Sequence, residues 1–542
     1  MVGMMRNRLA TFLVGLAIAA ILLFSFGRNV MTPAATPLAI VSGSENRALE
    51  PLILDWAAQN NLAPTITYLG SVDISREIAK GTEAAYDAVW PANSLWLQLG
   101  DTQKVIKHPQ SILRSPVVLG LRKPIAESLG WVGRDDVTIQ MIEQAAAAGK
   151  FRLAMTSATQ SNSGASAYFG FLYAMAGSPD VLTSDILADP ALQDRVRSFL
   201  ATVDRSSGSS GWLKDALVAN PDAYDAMFNY ESTILEANQA LTAAGQEALY
   251  IIYPANGLSV ADSPLAYVSK GNAATEAAFL SLQAFLLSPE TQQTLSGLGR
   301  RSGLIGMDAE GADPAVWRSD WGVDLTRAIA PIPTPEAGVI AEALRLYQTE
   351  LRKPSLTIWV LDVSGSMEGQ PIEEMKQAMR LLLDKKAAAV NLLQPSRRDV
   401  AIILPFNDTT LTPILAEGDS DAVLEYALTQ VNALEAGGGT DLYLALDQAL
   451  DLLQTYADDG TLRDYLPAIV AMTDGASGTD NRDAFLADVA ARSFGRDVPI
   501  HAIVFGNADE EQLQALTDGS IGRLFQSDDG LAEALRQAKG YN

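Results

Sequence analysis

The chain has no cysteine and only two histidines among its 542 residues. The first absence removes disulfides, thiol nucleophiles, thiolate metal sites and a lipidated N-terminal cysteine together, and leaves export tolerated. The second leaves a zinc enzyme or a Ser-His-Asp hydrolase little to work with, because His108 and His501 are far apart and His501 sits in a strand-like run. There is no Walker A string, nucleophile elbow or His-Glu metal motif, so the chain reads as a binding protein and not as an enzyme. Basic residues are also scarce. Against 64 Asp and Glu stand 39 Lys and Arg, a net charge of -25, which argues against nucleic acid as a partner because phosphate backbones need a basic surface.

What is present begins with a targeting segment. Arg6 and Arg8 precede an apolar run from Leu9 to Phe26, LATFLVGLAIAAILLFSF, near the roughly 20 residues that span a bilayer. Basic residues ahead of the run place the N-terminus inside and everything after Gly27 outside. This pattern predicts an uncleaved single-pass anchor within residues 1–35, with the bulk of the chain extracytoplasmic. A cleaved signal, with TPAAT at 32–36 as a weak cleavage site, is the alternative and gives a secreted or periplasmic protein.

The chain is too long for one core. From 36 to 310 apolar runs such as LAIVSG, TITYLG, YDAVWP, SPVVLGL, FRLAMTS, YDAMFNY and LYIIYP alternate with helical stretches, the pattern of an α/β domain. Pro, Asp and Gly between 307 and 335 interrupt the periodicity, and a helix carrying Val339, Ala343 and Leu346 follows, so 311–354 reads as a linker and connecting helix. From 355 to 542 the runs LTIWVLD, DVAIILPF, AIVAMTD and IHAIVFG alternate with segments of helical spacing. Strands apolar throughout predict a mainly parallel sheet covered on both faces. This region holds 30 acids against 13 bases, so most of the net charge lies here.

Asp362, Ser364 and Ser366 form DVSGS, directly after an apolar strand and before a helix. That is the carboxyl end of a strand, where open α/β sheets bind ligands. One carboxylate and two hydroxyls are hard oxygen donors suited to Mg²⁺ or Mn²⁺, and sometimes Ca²⁺. Two further loops, GGGTD with Thr440 and AMTDG with Asp474, lie at ends of the same alternation. Helix capping explains each loop separately and does not predict the three together. The D-x-S-x-S string with a later Thr and a later Asp resembles the metal-ion-dependent adhesion site of von Willebrand factor A (VWA) and integrin inserted domains. That resemblance implies a Rossmann-like domain in which Ser364, Ser366 and either Thr440 or Asp474 ligate a divalent cation, Mg²⁺ first, with Asp362 and the remaining group acting directly or through water. It also implies a partner protein that offers an Asp or Glu to the ion.

The loops of the first domain carry hydroxyls and amides: Ser42 and Ser44 in VSGSEN, Ser71 in LGSVD, Asn93 and Ser94 in WPANS, and Ser161, Asn162 and Ser163 before a helix. A helix N-terminus with hydroxyls makes a neutral cradle for an anion or polar solute. SGSEN, SNSG and SPETQQTLSGLGRRSGL resemble bacterial extracellular solute-binding proteins of the two-lobed periplasmic type, which implies a small ligand between lobes. Glu45 and Glu231 depart from a simple oxyanion pocket, since a buried carboxylate repels an anion. A transport or sensing component is therefore kept beside the cation-dependent binding protein.

Overall fold

Apolar runs bounded by Gly, Pro and Asp become strands because side chains that alternate across a pleat need an apolar layer on each face they meet. The computed structural model describes residues 35–302, 312–327, 330–495, 497–528 and 530–541. The run Leu9–Phe26 lies outside the described residues, and among the described residues no helix is long and apolar enough to cross a membrane. Before residue 270 the strands are β1 (Thr36–Ser42), β2 (Leu62–Tyr68), β3 (Ala88–Trp90), β4 (Ile106–Ser111), β5 (Ser115–Arg122), β6 (Leu153–Thr156), β7 (Val203–Ser207), β8 (Ala226–Tyr230), β9 (Leu249–Ile252), β10 (Val260–Ala261) and β11 (Pro264–Val268).

These strands make two sheets. The first lobe has the order β2-β1-β3-β11-β4, and the second β10-β5-β8-β6-β7 with β9 beside β5. The chain crosses between lobes from Ser111 to Ser115 and again from Ala261 to Pro264, so two extended segments form the waist. Strand-end loops of both lobes then face one another, as expected of ligand-binding edges in α/β sheets. Trp96 ties the lobes together. It lies in the helix Leu95–Gly100 that follows β3, yet it is fully buried in the core of the second lobe, and its Nε1 donates to Asn162 Oδ1 over 2.7 Å.

The connecting helix Ala337–Leu346 and the π turn Tyr347–Leu351 belong physically to the second lobe. Ile340, Ala343, Leu344 and Leu351 are buried in its core, each large aliphatic contributing roughly 1.5–3 kcal/mol. Tyr168 Oη donates to Ala343 O at 2.9 Å. The domain that follows is thereby held firmly against the second lobe.

That domain contains β12 (Ser355–Asp362), β13 (Val400–Phe406), β14 (Ile414–Glu417), β15 (Leu466–Thr473), β16 (Ile500–Val504) and β17 (Leu524–Gln526), in the order β14-β13-β12-β15-β16-β17. Among the described residues of this sheet, only β13 and β14 pair antiparallel. All of β12 is buried. Its side chains alternate between two cores, Trp359 and Leu361 entering one and Leu356, Ile358 and Val360 the other, which is why the strand reads as an unbroken apolar run. The expected mixed α/β architecture, two-lobed and then Rossmann-like, is what forms.

Candidate cation site and interlobe cleft

Because β12 and β15 are adjacent and parallel, with Leu361 opposite Met472, the loops after them leave the sheet at the same edge. Asp362 ends β12 and is fully buried, Ser364 is 1% exposed, Asp474 is 5% exposed, and Ser366 is open to solvent. Asp362 Oδ1 accepts the Ser364 N–H at 2.8 Å. Ser364 Oγ and Ser366 Oγ are 3.1 Å apart, and Ser366 Oγ donates to Asp474 Oδ1 at 2.7 Å. Four of the five residues read from the sequence are thus joined in one hydrogen-bonded run, from the buried strand end through the exposed Ser366 to Asp474.

The fifth, Thr440, arrives through its backbone. Gly365 N donates to Gly438 O at 3.0 Å, and Gly478 N to Thr440 O at 3.2 Å, so the GGGT loop is wedged between the other two. Gly438 has φ +86° and a Cβ there would collide with Asn407 and Asp408, so glycine is required for this approach. A sixth residue, Thr473, joins the cluster without a motif to mark it. Its hydroxyl donates to Asp362 Oδ2 at 2.6 Å, and the only sequence signal is its place beside Asp474 at a strand end.

Neither carboxylate has a basic partner among the described residues. Burial pushes the Asp362 carboxyl up, against hydrogen bonds from Thr473 and Ser364, and the nearby Asp474 adds to the rise. Two uncompensated carboxylates among hydroxyls, without nitrogen or sulfur donors, fit a hard divalent cation. No group of three His, Cys, Asp or Glu able to hold a metal occurs among the described residues, so a cation here would depend on the serine and threonine oxygens.

Between the lobes lies a cavity of about 70 Å³ whose walls include Ser44, Ser71, Ser161 and Asn162. The other four candidates lie elsewhere. Ser42 is turned inward, accepting from Asn46 Nδ2 at 3.1 Å, and Ser163 is fully buried against Ser210 (2.7 Å) and Thr156 (2.8 Å). Asn93 and Ser94 line a separate cavity with Pro331–Pro335, because Asn93 is drawn to Val260 O and Ser94 to Asp262. Glu231 is likewise removed from the cleft. It is buried with Arg301, which donates to its two oxygens at 2.6 and 2.7 Å.

The two bodies match known family models: "bacterial extracellular solute-binding protein" over residues 38–301 and "von Willebrand factor type A domain" over residues 358–537. The chain carries a solute-binding-protein-like domain and a VWA domain. Human inter-alpha-trypsin inhibitor heavy chain H6 is 28% identical over 195 residues, which are 34% of this chain and 14% of that protein, so the chain spans only a small part of this relative. Among solved structures, a von Willebrand factor type A protein from Catenulispora acidiphila is 17% identical, with 35% of this chain and 43% of that one covered at TM-score 0.29. The periplasmic binding protein P5PA is 14% identical, with 58% and 100% covered at TM-score 0.42. The periplasmic molybdate-binding protein of Azotobacter vinelandii is 17% identical, with 49% and 100% covered at TM-score 0.34.

The VWA domain and the solute-binding domain meet at the cleft. The last VWA helix, Leu531–Ala538, places Arg536 Nη1 2.6 Å from Asp73 Oδ1 of the first lobe, while Arg536 O accepts from Gln160 Nε2 of the second at 2.9 Å. Tyr541 stacks edge-on against Trp212, with ring centroids 5.1 Å apart. These residues gave no signal in the sequence, since Asp73 and Gln160 resemble ordinary loop and helix-face residues until the VWA domain is docked.

Proposed function

We propose that this chain is a membrane-anchored, extracytoplasmic binding protein whose VWA domain coordinates a divalent cation, Mg²⁺ first, to engage a protein partner through an acidic residue. The observation that carries this reading is the hydrogen-bonded run Asp362–Ser364–Ser366–Asp474, with two carboxylates, two hydroxyls and no basic counter-charge among the described residues. Ser364, Ser366 and either Asp474 or Thr440 would hold the ion, and Asp362 with the remaining group would support it. When bound, such an ion supplies a Lewis-acidic position for a carboxylate oxygen of the partner. Asp362 holds the β12 loop by accepting Ser364 N–H, and Thr473 fixes its second oxygen. The anchor in this reading is the run Leu9–Phe26. Association of partners with the full chain in Mg²⁺, lost in chelator and in Asp362→Ala or Ser364→Ala, tests it; retention in chelator overturns it.

A second reading is favoured by the interlobe cavity: a solute-binding or sensing component that takes a small polar solute or anion. Its walls combine hydroxyls with the first residues of the helices Ser71–Ala79 and Asn162–Met175, whose leading N–H groups lack intrahelical partners.

A further inference from the structure

The interlobe cavity has a wall that neither lobe supplies. Arg523, Gln537 and Tyr541 of the VWA domain line it together with Arg47, Ser161 and Ser209 of the solute-binding domain. The closure is tight. A Cβ at Gly208 would sit 2.7 Å from the Tyr541 ring, and Arg205 Nη2 donates to Ile521 O at 2.9 Å just before Arg523. The VWA domain is fixed to the second lobe through the connecting helix, so its ion pair to Asp73 spans to the first lobe and bridges the cleft mouth.

The charge around this cavity is unbalanced. Among the described residues neither Arg47 nor Arg523 has a carboxylate at ion-pair distance; Arg47 lies over the Tyr68 ring at 4.5 Å, and Arg523 lies over Phe525 and Tyr541 at 4.9 and 4.8 Å, with its Nη1 donating to the neutral Tyr541 hydroxyl. Arg205, 2% exposed, stands nearby with its Nε–H unpaired. Burial and the neighbouring Arg47 bring the Arg523 guanidinium down to about 10, the response of a cation lacking a counter-ion. The acids at the wall do not fully neutralise it. Asp73 is taken by Arg76 and Arg536, and burial pushes Glu45 up to about 7, so near neutrality about half of it carries no charge. A space of about 70 Å³ suits a compact ligand on the order of a few water molecules.

We propose that this cavity is a three-walled site for a small oxyanion, completed by the VWA domain, with Arg523 contacting the ligand. This rests on the solute-binding reading and adds that the lobes alone do not make the site.

Calorimetric titration of the full chain with sulfate, phosphate and molybdate tests it, on wild type, Arg523→Gln, Arg523→Lys and Arg536→Ala. Arg536 does not line the cavity, and its removal breaks the bridge to Asp73 of the first lobe together with a local pair to Glu533 on its own helix. The expected result is one-site binding of at least one anion by wild type, weakened about tenfold or more in Arg523→Gln, as for loss of a charge-assisted hydrogen bond. Arg523→Lys restores part of it and Arg536→Ala weakens it. Should a variant fail to show the wild-type melting transition, the Lys variant and Arg536→Ala decide alone. Wild-type binding that is unchanged in both Arg523→Gln and Arg536→Ala overturns the third wall and leaves an ordinary two-lobed site. No binding of any of the three anions by wild type overturns the solute-binding reading itself, and the composite site with it.

Discussion

Ser366 Oγ lies 2.7 Å from Asp474 Oδ1, joining loops 108 residues apart at one edge of the VWA sheet. The contact exists because β12 and β15 are neighbours in a parallel sheet, so their carboxyl ends share an edge. Replacing Ser366 by Ala removes one donor atom at an exposed position. The expected outcome is a cation affinity lowered at least tenfold, roughly 1.4 kcal/mol or more, with an unchanged thermal transition in chelator. Calorimetry with Mg²⁺ and a melting curve separate the two effects.

Asp362→Asn is expected to do something less intuitive. Because burial raises the Asp362 carboxyl, with Asp474 adding to the rise, the folded protein resists its ionisation, so this group costs stability as pH rises past its ordinary range. An amide of the same shape keeps the oxygen that accepts Ser364 N–H. Without cation the variant should melt above wild type at pH 7, each kcal/mol gained being worth about 2–4 °C for a domain of this size, and show no further rise with Mg²⁺. A variant less stable than wild type in chelator would contradict this assignment.

Glu45 gives a pH dependence in the other domain. Its carboxyl is moved by burial from 4.5 to about 7, while Arg300 pulls it down and Glu236 pushes it up. A raised acid favours the protonated folded state, so its contribution is present below pH 4.5 and is lost as pH climbs to about 7. Glu45→Gln should match wild type near pH 4.5 and exceed it at pH 8, by thermal melting at both values. Equal curves at pH 8 would show that the carboxylate is compensated.

The Glu231–Arg301 pair is buried, with side chains 1% and 4% exposed, and Tyr253 Oη also donates to the carboxylate. Removing one partner leaves an uncompensated charge, so Glu231→Ala should lower the stability of the solute-binding domain by about 3–5 kcal/mol. Denaturant unfolding followed by tryptophan fluorescence measures it. Anion binding per folded molecule should be unaffected, since Glu231 does not line the cleft.

The sequence made the cation loops legible because the Asp362 and Asp474 loops each follow an apolar strand at its own end, and a parallel sheet brings such ends together without further information, while Thr440 showed only as a hydroxyl ahead of a helix. Thr473 escaped because a threonine at a strand end is ordinary until its partner, Asp362, is known to lie across the sheet. The cleft was legible by half. Ser44, Ser71, Ser161 and Asn162 reach it, but Ser42, Asn93, Ser94 and Ser163 are drawn to nearer partners, and a serine-rich loop carries no sign of which way each hydroxyl turns. The VWA wall of the cleft was invisible, since its contacts join Asp73 and Gln160 to Arg536, which are 463 and 376 residues apart. Docking of two folded bodies depends on surface complementarity that no local periodicity records.

The proposed cation site of the VWA domain is the Asp362 cluster. Calorimetric titration of the full chain with Mg²⁺, Mn²⁺ and Ca²⁺, beside Asp362→Ala, tests it most directly. One-site binding in wild type that vanishes in a folded Asp362→Ala is the result expected. Binding of equal affinity in both proteins would place any cation elsewhere and contradict the account.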